Sequence, residues 1–148
     1  MRLIRFLLSF LLVLYSMTPT FAIDRTAYEE KISDDLTIEY IIEKMPESRL
    51  ANSVTGKKTA KAKNGDTVLW TVTVTGTFEY DGTRSICTAA LVSTTCPSSY
   101  WVLSNKTSTK MGSTAKASAD GTKYVNGLAT DKQTVTVFLT CGIDGTLY

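Results

Sequence analysis

The sequence predicts an all-β protein, an antiparallel β-sandwich immunoglobulin-like in outline, with a signal peptide and a short helical N-terminal segment before it. Three observations predict it. From residue 55 onward apolar and polar residues alternate with a period of two, as in strands with one face buried. The dipeptides Asn64-Gly65, Asp81-Gly82, Asp120-Gly121 and Asn126-Gly127 punctuate those runs with turn chemistry. Threonine recurs at every second position through much of residues 67–140, and β-branched side chains suit the solvated face of a pleated sheet. A small closed barrel is the alternative arrangement of the same strands.

Arg2 and Arg5 form a short positive region before the apolar run Phe6 to Met17. Thr18-Pro19-Thr20-Phe21-Ala22 then reads as a helix break and a small-x-small cleavage site, so residues 1–22 are expected to be a signal peptide. The run is too short for a spanning helix, which needs roughly 20 apolar residues. No membrane span is expected in the mature chain, which the sequence assigns to the outside of the cell, free or loosely bound to the cell wall.

Residues 23–54 carry eight acidic and four basic side chains, whereas residues 55–148 carry six acidic and ten basic ones. The first stretch reads as a partly helical segment or linker. Thr26-Ala27-Tyr28-Glu29 has capping-box spacing. Residues 24–46 read as helical or partly ordered: Leu36, Tyr40, Ile41 and Met45, with Ile38 and Ile42 beside them, place apolar groups along one side of a short helix with Asp34 and Asp35 in its first turn, which Pro46 ends. The second stretch, 55–148, is the sandwich domain. Its modest positive excess lacks the dense basic stripe with stacking aromatics that nucleic acid requires, so nucleic acid is not an expected partner.

Strand follows strand in that domain. Gly56 to Lys63 alternates, with Lys58, Ala60 and Ala62 on one face and Lys57, Thr59, Lys61 and Lys63 on the other. The next run sets Val68, Trp70, Val72, Val74, Gly76, Phe78 and Tyr80 inward and the threonines outward, with Gly76 allowing a bend or bulge. Further strands are expected over 83–91, 100–106, 110–119 with Ala115, Ala117 and Ala119 in line, 123–129, and 133–141 with Val135, Val137, Leu139 and Cys141 inward.

The run Leu69-Trp70-Thr71-Val72-Thr73-Val74-Thr75-Gly76-Thr77-Phe78-Glu79-Tyr80-Asp81-Gly82, followed by Cys87-Thr88, resembles small secreted proteins of clostridia and related Gram-positive bacteria. The closing Thr134-Val135-Thr136-Val137-Phe138-Leu139-Thr140-Cys141, with Gly145 after it, is similar to their last strand. The resemblance covers roughly residues 53–148. It implies secretion, a Gram-positive host and an all-β fold, and it implies no activity.

Chemistry-bearing residues are few. The chain has no histidine, which removes the commonest general base and metal ligand, and no nucleophile, phosphate-loop or calcium-loop motif is present. No catalytic residue, cofactor or metal site is expected. A glycosidase pair drawn from Asp66, Glu79, Asp81, Asp120, Asp131 and Asp144 requires two of them in one cleft, and four of these six sit in or beside expected turns. Lys57, Lys58, Lys61 and Lys63 form a candidate basic patch for an anionic wall polymer; the competing reading is an edge strand guarded by lysine against aggregation. Tyr100 and Trp101 are adjacent and must face opposite ways on a strand, leaving one ring to stack on a sugar or a partner protein. Three cysteines remain. Cys87 and Cys141 each end an alternating run and are favoured as a disulfide with Cys96 free; a local Cys87–Cys96 bond is the alternative.

These features lead to a secreted, non-enzymatic binding or structural module, its partner a cell-wall polymer, a glycan or an extracellular protein. The alternative is a secreted effector or toxin-like factor held quiet by residues 23–54 as an acidic pro-region.

Overall fold

The computed structural model describes residues 25–46 and 52–148. The expected signal peptide and residues 47–51 of the expected linker lie outside the described residues. The described chain is all β: β1 (Arg25–Ser33), β2 (Leu36–Lys44), β3 (Ser53–Asn64), β4 (Thr67–Tyr80), β5 (Ser85–Thr95), β6 (Trp101–Met111), β7 (Thr114–Val125) and β8 (Leu128–Thr140). They form a five-stranded sheet in the order β1-β2-β3-β4-β5 and a three-stranded sheet in the order β6-β7-β8, antiparallel throughout. The two sheets pack face to face, β4 against β7 and β3 and β4 against β8, as a sandwich.

Strand β4 organises the core. Trp70, Val72, Val74 and Phe78 point inward and are fully buried, while Thr71, Thr73, Thr75 and Thr77 face out. Each inward side chain stabilises by about 1.5–3 kcal/mol through the apolar surface it removes from water. Opposite them β7 offers only small groups, Ala115, Ala117, Ala119 and Gly121, so the large side chains of one sheet seat in the hollows of the other. Two glycines permit that approach. A Cβ on Gly121 would lie 3.0–3.2 Å from the Trp70 indole. A Cβ on Gly76 would lie 2.9 Å from Ala115 and 2.5–2.6 Å from the Phe78 ring. On the outer face, Thr55–Thr77, Thr59–Thr73 and Thr71–Thr95 share hydroxyl hydrogen bonds of 3.1, 2.9 and 2.7 Å, cross-strand pairs that link six threonines of β3, β4 and β5.

Several expectations need correction. Residues 24–46, expected to be helical or partly ordered, hold two strands from Arg25 on: β1 and β2 form a hairpin whose second strand pairs with β3 along its length. The signal was present in Leu36, Ile38, Tyr40 and Ile42, which alternate with Thr37, Glu39, Ile41 and Glu43 and are rich in β-branched and aromatic residues. The i, i+4 contacts and the capping-box spacing masked that period of two. Pairing along β2 also joins this segment to the domain that was expected to start at residue 55. The strand order departs from the immunoglobulin-like outline, because consecutive strands are neighbours in both sheets, whereas an immunoglobulin domain interleaves its strands between sheets. Asp120-Gly121 is no turn: both lie inside β7, and the chain turns instead at Gly112-Ser113 and at Asn126-Gly127. Asn126 and Gly127 have φ of 52° and 79°, the geometry of the two-residue hairpin their sequence favours.

Candidate functional site

The lysine strand does not present a free basic surface. β3 is an interior strand between β2 and β4, so the edge-strand reading of its lysines falls as well. Lys61 reaches Glu39 at 4.0 Å, and Lys63 lies 3.4 Å from Glu29 and 3.7 Å from Glu39. Lys57 stands opposite Glu43 in the register. Lys58 points to the other face, its ammonium 5.5 Å from the centre of the Tyr28 ring, which stacks on Tyr40 at 4.8 Å. The acidic segment thus lies beside the basic strand in the same sheet and pairs with two of its four lysines, Lys61 and Lys63.

Tyr100 and Trp101 behave as their adjacency demands. Trp101 begins β6, is 7% exposed, and packs on Trp70 with ring centres 5.9 Å apart. Tyr100 is 64% exposed. Both line a cleft of about 260 Å³ at one end of the sandwich. The β1–β2 turn contributes Ser33, Asp35 and Leu36, the β3–β4 turn Asn64, the β5–β6 connection Ser98, and the ends of β7 and β8 Lys123 and Asp131. Each is carried at or near a strand end, where side chains from two sheets converge without a backbone ladder to occupy them. Asp131 accepts a hydrogen bond from Gln133 at 3.2 Å, and no ion pair is made by Asp35 or Lys123 among the described residues. The cleft therefore joins an exposed aromatic ring to hydroxyl, amide, carboxylate and ammonium groups that can both donate and accept hydrogen bonds.

Sequence reasoning picks out Tyr100 and Trp101, weighs Asp131 only as a glycosidase carboxylate, and misses Asp35, Asn64 and Lys123. Asn64 reads as turn chemistry, and Asp35 falls in the segment expected to be partly helical. Only the folded hairpins bring them together.

A second hollow, at the opposite end, is lined by Asn52, Glu79, Tyr80, Asp81, Arg84 and Ile86. Glu79 and Asp81 meet the requirement of two carboxylates in one place. Asp81, however, accepts hydrogen bonds from the Thr83 hydroxyl at 2.6 Å and from the Thr83 and Arg84 amides at 2.9 Å each, and it lies 3.3 Å from the Arg84 guanidinium. Those bonds hold its carboxyl far below the usual range. A leaving group needs an acid with a raised pKa, so this carboxyl has the wrong bias to protonate one.

Asp120 is polarised in the same direction for a different reason. It sits on the outer face of the small sheet, 8% exposed, and accepts hydrogen bonds from Thr134 at 2.6 Å and Asn105 at 2.8 Å, with Lys132 at 2.9 Å. These partners, Thr134 foremost, hold its carboxyl well below the ordinary carboxylate range. Asn105 reaches it from an irregularity in the β6–β7 register between Ser104 and Thr107, with φ of 51°. Every group in this cluster is already paired, which marks it as a structural fixture.

All three cysteines are thiols in the structure, Cys87 and Cys141 buried and Cys96 exposed. No group of three or more metal-ligating side chains and no helix long and apolar enough to cross a membrane occurs among the described residues. Compared with known proteins, the chain matches no family model, no curated protein and no solved structure.

Proposed function

We propose that the protein is an exported, non-enzymatic binding module of a Gram-positive bacterium, and that the end cleft beside Tyr100 receives an extracellular glycan. One observation carries this reading: an exposed tyrosine ring lies in a cleft whose other polar groups come from four separate strand connections and ends. The apolar face of a sugar ring stacks on an aromatic side chain, and its hydroxyls both donate to carboxylates such as Asp35 and Asp131 and accept from Asn64 and Lys123. The volume of about 260 Å³ lies just below the roughly 300–1,000 Å³ usual for small-ligand sites, which suits one sugar unit at a time.

The alternative, an effector with residues 23–54 as a removable pro-region, would strip away β1 and β2 and with them the buried Leu36 and Ile38. The arrangement favours the binding module.

The test is co-sedimentation of residues 23–148 with purified cell-wall polysaccharide, followed by titration with soluble oligosaccharides using tryptophan fluorescence. Binding is expected to fall at least tenfold in Tyr100→Ala and to be unchanged in a Lys61→Gln, Lys63→Gln double variant. Loss in the lysine variant with Tyr100→Ala unaffected would move the site to the basic strand and the ligand to an anionic polymer. Fractionation of a producing culture into medium, wall and membrane pools checks export itself.

A further inference from the structure

The two buried cysteines stand at the end of the sandwich opposite the cleft, one from each sheet. Cys87 lies near the start of β5 and Cys141 follows the end of β8. Their main chains grip the same turn: the Cys87 amide donates to the Gly112 carbonyl at 2.7 Å, and the Cys141 amide donates to the Ser113 carbonyl at 3.0 Å. Ser85, two residues before Cys87 on the same face of β5, donates its hydroxyl to the Cys141 carbonyl. Burial pushes both thiols up, and Cys87 is itself among the groups that raise Cys141.

Cys96 is placed quite differently. It is nine residues beyond Cys87, just past the end of the extended β5, so the two stand roughly 30 Å apart at about 3.3 Å per residue. A disulfide needs Cα atoms within about 7 Å. The Cys96 sulfur instead lies 3.2 Å from the Trp101 carbonyl, beside the cleft.

We propose that Cys87 and Cys141 are joined by a disulfide that ties the two sheets together when the chain meets an oxidising thiol–disulfide couple, and that Cys96 stays a thiol. One of the two, deprotonated, attacks a sulfur of a disulfide oxidant and releases one oxidant thiol. The partner cysteine then loses its proton and displaces the second oxidant thiol, forming the Cys87–Cys141 bond. Two electrons pass to the oxidant, whose disulfide is reduced to two thiols. In the thiol form each sulfur points to a local carbonyl, Cys87 to Ala89 at 3.2 Å and Cys141 to Gly142 at 3.3 Å.

The experiment equilibrates residues 23–148 with oxidised glutathione, alkylates the unfolded chain, and maps peptides by mass without reduction. The expected result is one alkyl group, on Cys96, and one cross-linked peptide containing Cys87 and Cys141. A rise in Tm that dithiothreitol reverses should accompany it, retained in Cys96→Ala and absent in Cys87→Ala and in Cys141→Ala. Three alkyl groups on oxidant-treated protein, or a linked peptide containing Cys96, would overturn the proposal; the peptide map on the unsubstituted chain decides even if a variant fails to fold.

Discussion

Asp120 shows how one residue changes meaning between sequence and structure. Next to a glycine it reads as turn chemistry, yet it stands in mid-strand with Thr134, Asn105 and Lys132 around it. Because the folded protein holds this carboxyl below its usual value, its stabilising effect is complete above about pH 4 and is lost as the pH falls toward the folded-state value. Asp120→Asn should therefore lower the urea midpoint at neutral pH, with the gap to the parent narrowing below about pH 4. A gap of constant size from pH 7 to pH 3 would assign the loss to shape, not charge. Gly76 makes the opposite point. Its sequence context suggests a bend, and a register irregularity does follow between Thr77 and Phe78. The residue itself is there because Phe78 and Ala115 leave no room for a methyl group. Gly76→Ala is expected to cost about 1–3 kcal/mol in chemical denaturation, the range for overpacked cores.

At the scale of elements, legibility tracked how one-sided the burial is. β4 is legible residue by residue, because one face is core and the other is threonine, and β8 only over its second half, where Val135, Val137 and Leu139 alternate with Thr134 and Thr136. β2 was not, because Ile41 on its outer face breaks the alternation and lends itself to a helical spacing. Strands β6 and β7 were cut in the wrong places: β6 runs on through its irregularity, and Asp120-Gly121 imitates a turn inside β7. The placement of β2 has an energetic consequence. Ile38 is 1% exposed and packs in the main core, so Ile38→Ala should cost about 2–5 kcal/mol by urea titration. A loss within about 0.5 kcal/mol, usual for surface positions, would mean that the N-terminal hairpin does not belong to the cooperative unit.

The whole molecule has two unlike ends. At one, turns and strand ends leave a cleft with an exposed tyrosine; at the other, the Gly112-Ser113 turn is held by the main chains of two buried cysteines. Sequence alone identified Tyr100, Trp101, Cys87 and Cys141 but not which end each occupies, since that depends on where the hairpins turn. The lysines of β3 were visible as a charged row, while their neighbours Glu29 and Glu39 lay in a segment read as helix. Pairing across β1, β2 and β3 is what turns a patch into a balanced surface.

The strand order carries a consequence for how the chain finds its shape. Every ladder joins strands consecutive in sequence, so each is closed by a short local connection, and little loop-closure entropy opposes any one of them. β-proteins are slow folders when their pairings are remote. Here the remote event is a single one, the docking of one finished meander on the other, when Trp70 and Phe78 meet the small residues of β7.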